Sequence, residues 1–191
     1  MMIRKVLFAA LLPIAACETA LTQESALPPE AMAPPSVEDG VYPSMMRVTG
    51  SLIDGSGSQI GSVNMLGGPN GVLMEVTVAE GGLEPGWHGL HLHQVGNCDD
   101  LGVFKNSGGH VGMIANGHGL LNPAGPEAGD LPNIWAGADG SAGYEAFSQL
   151  FTLSDIVDED GGTLIIHAER DDHLSQPIGG AGARVACAVL Q

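Results

Sequence analysis

Short apolar or alternating runs, separated by glycine, are the feature that most limits how this chain can fold. No segment has a convincing helical period, and 29 glycines with only 4% aromatic residues indicate turns and β-structure rather than a helix bundle. Eight runs are strand-like: MRVTGSLID (46–54), IGSVNML (60–66), GVLMEVTVA (71–79), GWHGLHLHQ (86–94), NIWAGAD (133–139), YEAFSQLFTL (144–153), GTLIIHAE (162–169) and RVACAVL (184–190). The pattern predicts an all-β domain, an eight-stranded antiparallel Greek-key barrel or sandwich.

One connection between these runs is much longer than the others. Residues 95–132 form a Gly- and Pro-rich stretch, and residues 170–183 form a second, shorter one. A structureless loop of that length is uncommon in a compact domain unless it has a function or is tied down. We therefore expect the long loop to carry functional residues.

The N-terminal region has the composition of a targeting segment. Two basic residues precede the apolar run 6–16, which is too short to span a bilayer, and the run ends in IAAC (14–17). This ending resembles the lipobox of bacterial lipoproteins, in which the signal is cut before a cysteine that carries lipid. We expect three segments: a signal peptide (1–16), a lipidated Cys17 with a flexible Pro- and Ala-rich tether (17–40), and a globular domain (41–191). The alternative is an ordinary secretory signal with a chance cysteine.

The residue after Cys17 bears on where such a lipoprotein would reside. Glu18 stands where an aspartate would favour retention in the inner membrane. In this class of signals, that suggests an outer-membrane anchor and a domain that faces the periplasm.

The charge of the chain excludes some partners. There are 22 acidic and 6 basic residues, which gives a formal net charge of −16. A chain this acidic should avoid nucleic acid and anionic lipid headgroups, so we expect membrane contact only through the lipid anchor. An acidic surface also promotes solubility.

Three histidines and a cysteine are concentrated in HGLHLHQVGNC (88–98). Side chains alternate between the two faces of a strand, so His91 and His93 point to one face and His88 points to the other. The first two can bind one metal ion, whereas His88 has a supporting or structural role. A His-x-His pair alone is weak evidence for a metal site.

Further metal-binding side chains occur later in the chain. His110 and His118 lie in the long loop together with Glu127 and Asp130, and His167 lies on an apolar strand. Five histidines are therefore available to converge, and imidazole suits copper and zinc. The remaining histidine, His173, is interpreted as a surface residue without a partner.

Four motifs, in order, resemble those of the bacterial copper–zinc superoxide dismutases. They are PGWHGLHLHQVGNC, GGHVGMIANGHGLLNPAGPEAGDLPN, GGTLIIHAERDD and GGAGARVACAVL, and the resemblance covers roughly residues 46 to 190. The resemblance implies a β-sandwich enzyme that contains copper and zinc and uses superoxide as its substrate.

The family pattern also implies roles for individual residues. It gives four copper ligands, His91, His93, His110 and His167, of which His110 also binds zinc with His118 and Asp130. It makes Asp171 the carboxylate that orients one ligand of each metal. It places Arg184 over the copper channel, where it attracts the anion, and Arg170 could add to this field. It pairs Cys98 with Cys187 in a disulfide, which an exported protein would keep.

The chain departs from the family pattern at Glu127, where the family has a third zinc-binding histidine. Zinc accepts carboxylate oxygen, so two histidines, a glutamate and an aspartate can form a site, and we expect this site to be filled but weakened. The alternatives are a three-ligand zinc site with Glu127 in solvent, and a copper-only protein.

The implied reaction is the dismutation of superoxide to O2 and H2O2 by copper redox cycling, which would protect the cell envelope. During the cycle, His110 would release copper and take up a proton.

Two alternative functions are a copper-binding or storage protein with little turnover, and a structural domain of the same fold. Arg184 argues against both, because neither needs an anion guide. A homodimer is possible.

Overall fold

The computed structural model describes residues 45–191, in which nine strands and two short 3₁₀ turns (Lys105–Ser107 and Leu153–Asp155) form an all-β domain. The strands are β1 (Met46–Asp54), β2 (Gln59–Gly68), β3 (Gly71–Val78), β4 (Gly86–His88), β5 (Leu90–His93), β6 (Ile134–Ala136), β7 (Ala142–Ser148), β8 (Gly162–His167) and β9 (Arg184–Leu190). The predicted all-β class is confirmed. Within this part of the chain, no helix has the length and apolarity needed to cross a bilayer.

Seven strands form one antiparallel sheet in the order β5-β8-β9-β1-β2-β3-β7, and β4 pairs with β6 in a second, two-stranded sheet. The neighbours β5 and β8, like β9 and β1, are far apart in sequence. Long connections are therefore required, as in the predicted Greek-key arrangement.

Alternating apolar side chains build the core. In β3, Val72, Met74, Val76 and Val78 are buried while the residues between them are more exposed, and they pack with side chains from the other strands in one cluster. Strand β8 differs because both of its faces are buried. Leu164 and Ile166 join the main core, and the opposite face is covered by the long loop.

One predicted strand is divided in two. The run 86–94 breaks at Gly89, so the structure has nine strands where the sequence predicts eight. At this residue the chain changes partner: Gly89 donates its N–H to Glu169 and accepts the N–H of His167. A side chain at position 89 would come within 2.8 Å of the Ala181 Cβ, so the crossing of these segments requires glycine.

The run 144–153 also ends as a strand earlier than predicted, at Ser148, and the 3₁₀ turn Leu153–Asp155 follows. The predicted signal peptide, lipidated Cys17, tether and domain boundary at residue 41 lie outside the described residues.

The free edge of β5 is covered by two parts of the long loop. The Val111 N–H donates to the Leu92 carbonyl, and the Leu92 N–H donates to that of Gly129. As a result, His110 pairs with His93 and Asp130 pairs with His91 in isolated β-bridges. The loop thus brings its own metal-binding side chains next to those of the strand.

Candidate metal centre

Three buried histidines from neighbouring strands form the first half of the site. His91 and His93 project from β5 and His167 projects from the end of β8, and each is at most 1% exposed. One ring nitrogen from each lies within 4.8 Å of the corresponding atoms of the other two. The alternation of β5 sends Leu90 and Leu92 into the core and leaves both histidines on the opposite face.

Each of these rings is held by the nitrogen that faces away from the cluster. Nδ1 of His93 donates to the Gly108 carbonyl at 2.9 Å, and Nδ1 of His167 donates to that of Gly182 at 3.1 Å. Nε2 of His91 donates to Asp171 at 2.8 Å. Such contacts fix the tautomer and orientation of metal-binding histidines.

The other ring nitrogens fit a metal ion. Among residues 45–191, Nδ1 of His91 and Nε2 of His93, His110 and His167 are buried without a hydrogen-bond partner. A buried polar atom without a partner is costly, so four of them on neighbouring rings indicate a site for a metal ion. Four imidazole nitrogens suit copper.

Burial keeps these rings neutral. It lowers the pKa of His91 to about 4, that of His167 to about 3 and that of His93 to about 2. At neutral pH their free nitrogens therefore carry lone pairs that can bind a metal.

Carboxylates dominate the second half of the site. The Glu127 Oε2 lies 2.8 Å from His110 Nδ1, and the Asp130 Oδ1 lies 2.7 Å from His118 Nδ1 and 3.3 Å from His110 Nδ1. The donor atoms of these four buried residues lie within 4.8 Å of one another. Two imidazoles and two carboxylates form a donor set that zinc accepts.

Asp171 lies behind both halves. Its two oxygens lie 2.8 Å from Nε2 of His91 and 3.2 Å from Nε2 of His118. Burial alone would raise the pKa of this carboxyl, but its bonds to His118 and His91 hold the pKa well below its usual range. Gly179 lies so close to Asp171 that a side chain at position 179 would overlap with the carboxylate.

A pocket of about 470 Å³ opens above the cluster. His93 and His110 lie at its base and Arg184 lines it, while much of its wall is apolar: Met113, Ile114, Ala115, Pro177 and Ile178. The pocket therefore joins the histidine cluster to the surface and carries a single guanidinium group along its lining.

The family model of copper/zinc superoxide dismutases matches residues 60–190, which is more than half of the chain. The chain belongs to this family. The Cu-Zn superoxide dismutase of Caulobacter vibrioides is 46% identical over 72% of this chain and 81% of the relative. One from Aquifex aeolicus is 34% identical over 76% of this chain and 87% of the relative. The protein is thus a superoxide dismutase with copper and zinc as its cofactors.

Solved structures of the family have the same fold. A superoxide dismutase-like protein from Bacillus subtilis superposes with a TM-score of 0.67 at 33% identity, over 75% of this chain and 97% of the other. The Cu/Zn superoxide dismutase from Brucella abortus gives a TM-score of 0.62 at 29% identity, over 76% of this chain and all of the other (100%).

Arg184 lines the pocket, and it also holds the long loop. Its Nη1 donates to the Phe104 carbonyl and the Ser107 hydroxyl, both at 2.7 Å, and its Nη2 donates to the Gly108 carbonyl at 2.9 Å. These bonds fix the guanidinium group beside the pocket. Arg184 can therefore hold the loop and still present its positive charge to the pocket.

The side chain of Arg170, which could have added to the positive field at the copper channel, contacts Trp87 instead. Its Cζ lies 5.7 Å from the ring centroid of Trp87, and it is not among the residues that line the pocket. A cation–π contact of this kind accounts for its position.

The predicted disulfide is confirmed, because Cys98 is bonded to Cys187 across 89 residues of sequence. It packs with Phe104 of the long loop and Ile165 of β8.

The ring of His88 is turned away from the metal cluster: its nitrogens lie 2.7 Å from the His167 carbonyl oxygen and 2.8 Å from the Glu84 carbonyl oxygen.

Two residues that the sequence did not indicate hold Asp171 in place. Asn133 accepts the Asp171 N–H at 2.8 Å and donates to its carbonyl at 2.9 Å. The N–H of His173 donates to the Asp171 carboxylate at 2.7 Å, and Asn133 lies 2.9 Å from Nε2 of its ring. The interpretation of His173 as a surface residue without a partner is wrong, and its place two residues after Asp171 is the signal that could have revealed this.

Proposed function

We propose that this superoxide dismutase holds copper with His91, His93, His110 and His167. The observation that carries this proposal is the set of four buried ring nitrogens without hydrogen-bond partners beneath an open pocket. Bound copper would supply the electron carrier between two superoxide ions, so that two superoxide ions and two protons give O2 and H2O2.

The protein's own groups would guide the anion and supply a proton. Arg184 lies in the pocket with the correct charge to dock superoxide, and His110 faces the pocket. We assign to Nε2 of His110 the role of taking up a proton when it is not bound to copper and of passing that proton to the reduced dioxygen, because His110 lines the pocket.

The docking site must overcome an unfavourable net charge. Loss of the signal peptide would remove two of the 6 basic residues and none of the 22 acidic ones, so the mature charge would be 4 minus 22, or −18. At physiological salt, charges farther apart than about 8 Å are largely screened. Attraction therefore depends on the local field of the bound metal and Arg184.

Purified protein tests these roles in a superoxide-consumption assay combined with metal analysis. Arg184→Glu should slow turnover while copper stays bound, because Arg184 contacts no metal-binding nitrogen. A copper-storage protein with little turnover, the second candidate, would bind copper and give no activity above that of free buffer.

We also propose that zinc is held by His110, His118, Asp130 and Glu127. The support is their mutual proximity and burial. Because glutamate replaces the family's histidine, we expect zinc to be held less tightly than by a site with three histidines. Replacement of Glu127 by histidine should tighten zinc binding in a chelator titration. Equal affinities would show that Glu127 is not a weakened ligand.

The location of the protein is likewise a proposal. The IAAC sequence and the tether support a lipid anchor on Cys17 and an outer-membrane position that faces the periplasm, where the enzyme would protect the cell envelope. Cell fractionation of wild type and Cys17→Ser tests this. Equal solubility of the two proteins would contradict the lipid anchor.

A homodimer is supported by one surface feature. Trp87 of β4 and Trp135 of β6 lie opposite each other with ring centroids 5.1 Å apart, and they are 46% and 53% exposed. Exposed aromatic pairs are common in interfaces. In sedimentation experiments, wild type should behave as a dimer and Trp135→Ser as a monomer. A monomeric wild type would remove this proposal.

A further inference from the structure

Glu127, the residue at which this chain departs from the family pattern, uses its two oxygens for two different contacts. Oε2 lies 2.8 Å from Nδ1 of His110, inside the set of zinc ligands. Oε1 accepts the backbone N–H of Ile114 at 3.0 Å. A histidine that binds zinc through one nitrogen has only an N–H left at the other, so it could not accept a bond from this amide.

The amide of Ile114 belongs to the wall of the copper pocket. Residues 112–116, here called the wall segment, are exposed, and four of them line the pocket: Met113, Ile114, Ala115 and Asn116. In the described part of the chain, the Ile114 N–H is the one amide of this segment that donates a hydrogen bond. The position of the Ile114 amide in this wall therefore depends on the Glu127 carboxylate.

The chain on either side of the wall segment is held independently. Before it, the Val111 N–H donates to the Leu92 carbonyl beside β5. Within and after it, the Ile114 carbonyl accepts the Gly117 N–H, and the Asn116 carbonyl accepts a side-chain N–H of Asn122. These contacts would remain if Glu127 moved, so a loss of the Glu127 contact should release the Ile114 amide without loosening the rest of the loop.

We propose that Glu127 is a positioning residue that couples zinc binding to the geometry of the pocket through which superoxide reaches copper. This proposal rests on the role of Glu127 as a zinc ligand. Bound zinc would fix Oε2 and so keep Oε1 directed at Ile114. Without zinc, the carboxylate is held by hydrogen bonds alone, which are individually weak in net terms. Zinc would thus stabilise the pocket wall from behind.

Hydrogen exchange at the Ile114 amide measures this coupling directly. The copper-loaded enzyme is compared with and without zinc, with residue-resolved detection and the Val111 amide as internal reference. We expect zinc removal to speed exchange at Ile114 by about tenfold, the effect of losing one hydrogen bond, and to leave Val111 unchanged. Zinc content is measured in each sample.

Three variants separate the coupling from general loosening of the loop. Glu127→His should bind zinc but show fast exchange at Ile114 with or without it, because the acceptor is gone. Glu127→Gln keeps an oxygen acceptor but loses the charge that binds zinc, so with or without zinc it should exchange at the rate of the zinc-free wild type. Glu159→Gln removes the same charge from an exposed position outside the pocket lining and should behave as wild type.

The outcomes distinguish this inference from the ligand assignment. If Glu127→His and wild type hold zinc equally tightly, the weakened-ligand role fails, whatever the exchange data show. If wild type binds zinc through Glu127 but Ile114 exchanges at the same rate with and without zinc, the coupling is wrong. Slow exchange at Ile114 in Glu127→His would also overturn it.

Discussion

The proposed copper and zinc sites lie on the two sides of His110, here called the copper side and the zinc side, and they hold their donor atoms in different ways. On the copper side, each histidine from β5 or β8 is anchored by an outer hydrogen bond and leaves a free nitrogen in the cluster. On the zinc side, the donors come from the long loop and contact one another, carboxylate against imidazole. The copper side is therefore set by strands before metal arrives, whereas on the zinc side metal must separate donor atoms that contact one another.

Substitutions of the copper-side histidines should have the largest effect on activity and metal content. His93→Ala or His167→Ala removes one of the free nitrogens, so we expect superoxide consumption and copper content to fall by more than about a hundredfold. Zinc content should change far less, because neither residue is in the zinc donor set. Circular dichroism and the intact disulfide serve as controls for folding. Undiminished activity would mean that the copper site lies elsewhere.

Asp171 should link the two sides, since it contacts a histidine of each. Asp171→Asn keeps the size of the side chain but removes the charge that orients both rings. We expect the affinity for each metal to fall by about tenfold to a hundredfold, the usual effect of losing such a partner. Competition with a chromophoric chelator measures both affinities. A loss confined to one metal would show that Asp171 does not join the sites.

The effect of pH on metal affinity should separate the two sides. Burial alone would lower the pKa of His118, but its bonds to Asp130 and Asp171 outweigh burial. In the metal-free protein they raise the pKa of His118 to about 10. Zinc must displace that proton, so its apparent affinity should rise about tenfold per pH unit between pH 6 and 8. Copper should show little change in the same range, because His91 and His93 are already neutral. Parallel titrations at several pH values check this, and equal slopes would contradict it.

The same shifts predict the acid sensitivity of the metal-free protein. The copper-side histidines have folded pKa values of about 4 or lower, against 6.5 as the ordinary value. As the pH falls below 6.5, the unfolded chain binds protons that the folded chain does not, so the free energy of unfolding should decrease down to about pH 4. Denaturant titrations of the metal-free protein measure it. The trend should persist when copper is bound, because the ligand nitrogens then take up no proton in the folded chain, and a free energy independent of pH would be the contrary result.

Strand periodicity made much of the copper side predictable. The alternation of LHLH puts His91 and His93 together, and an apolar strand carries His167 to the same face. The break at Gly89 was not predictable, because it arises from contacts with residues distant in sequence. The same holds for Asn133, which bonds to backbone groups of Asp171 from a distant part of the sequence. His173 lies only two residues after Asp171, and its backbone N–H donates to the Asp171 carboxylate.

The residues of the zinc side were predicted from the family pattern, and Glu127 is the position at which this sequence departs from that pattern. The sequence shows a carboxylate where a histidine is expected, but it does not show that the second oxygen reaches the Ile114 amide. This contact depends on how the long loop folds back on itself, which only the structure shows.

Stepwise removal of metal tests the difference between the two sides most directly. The copper- and zinc-loaded wild type is titrated with a chelator, and each metal is followed by native mass spectrometry. We predict that zinc leaves first, because its donors include Glu127 and can return to contacts with one another, whereas copper leaves buried nitrogens without hydrogen-bond partners. Loss of copper before zinc, or wild-type protein that never takes up zinc, would contradict this account.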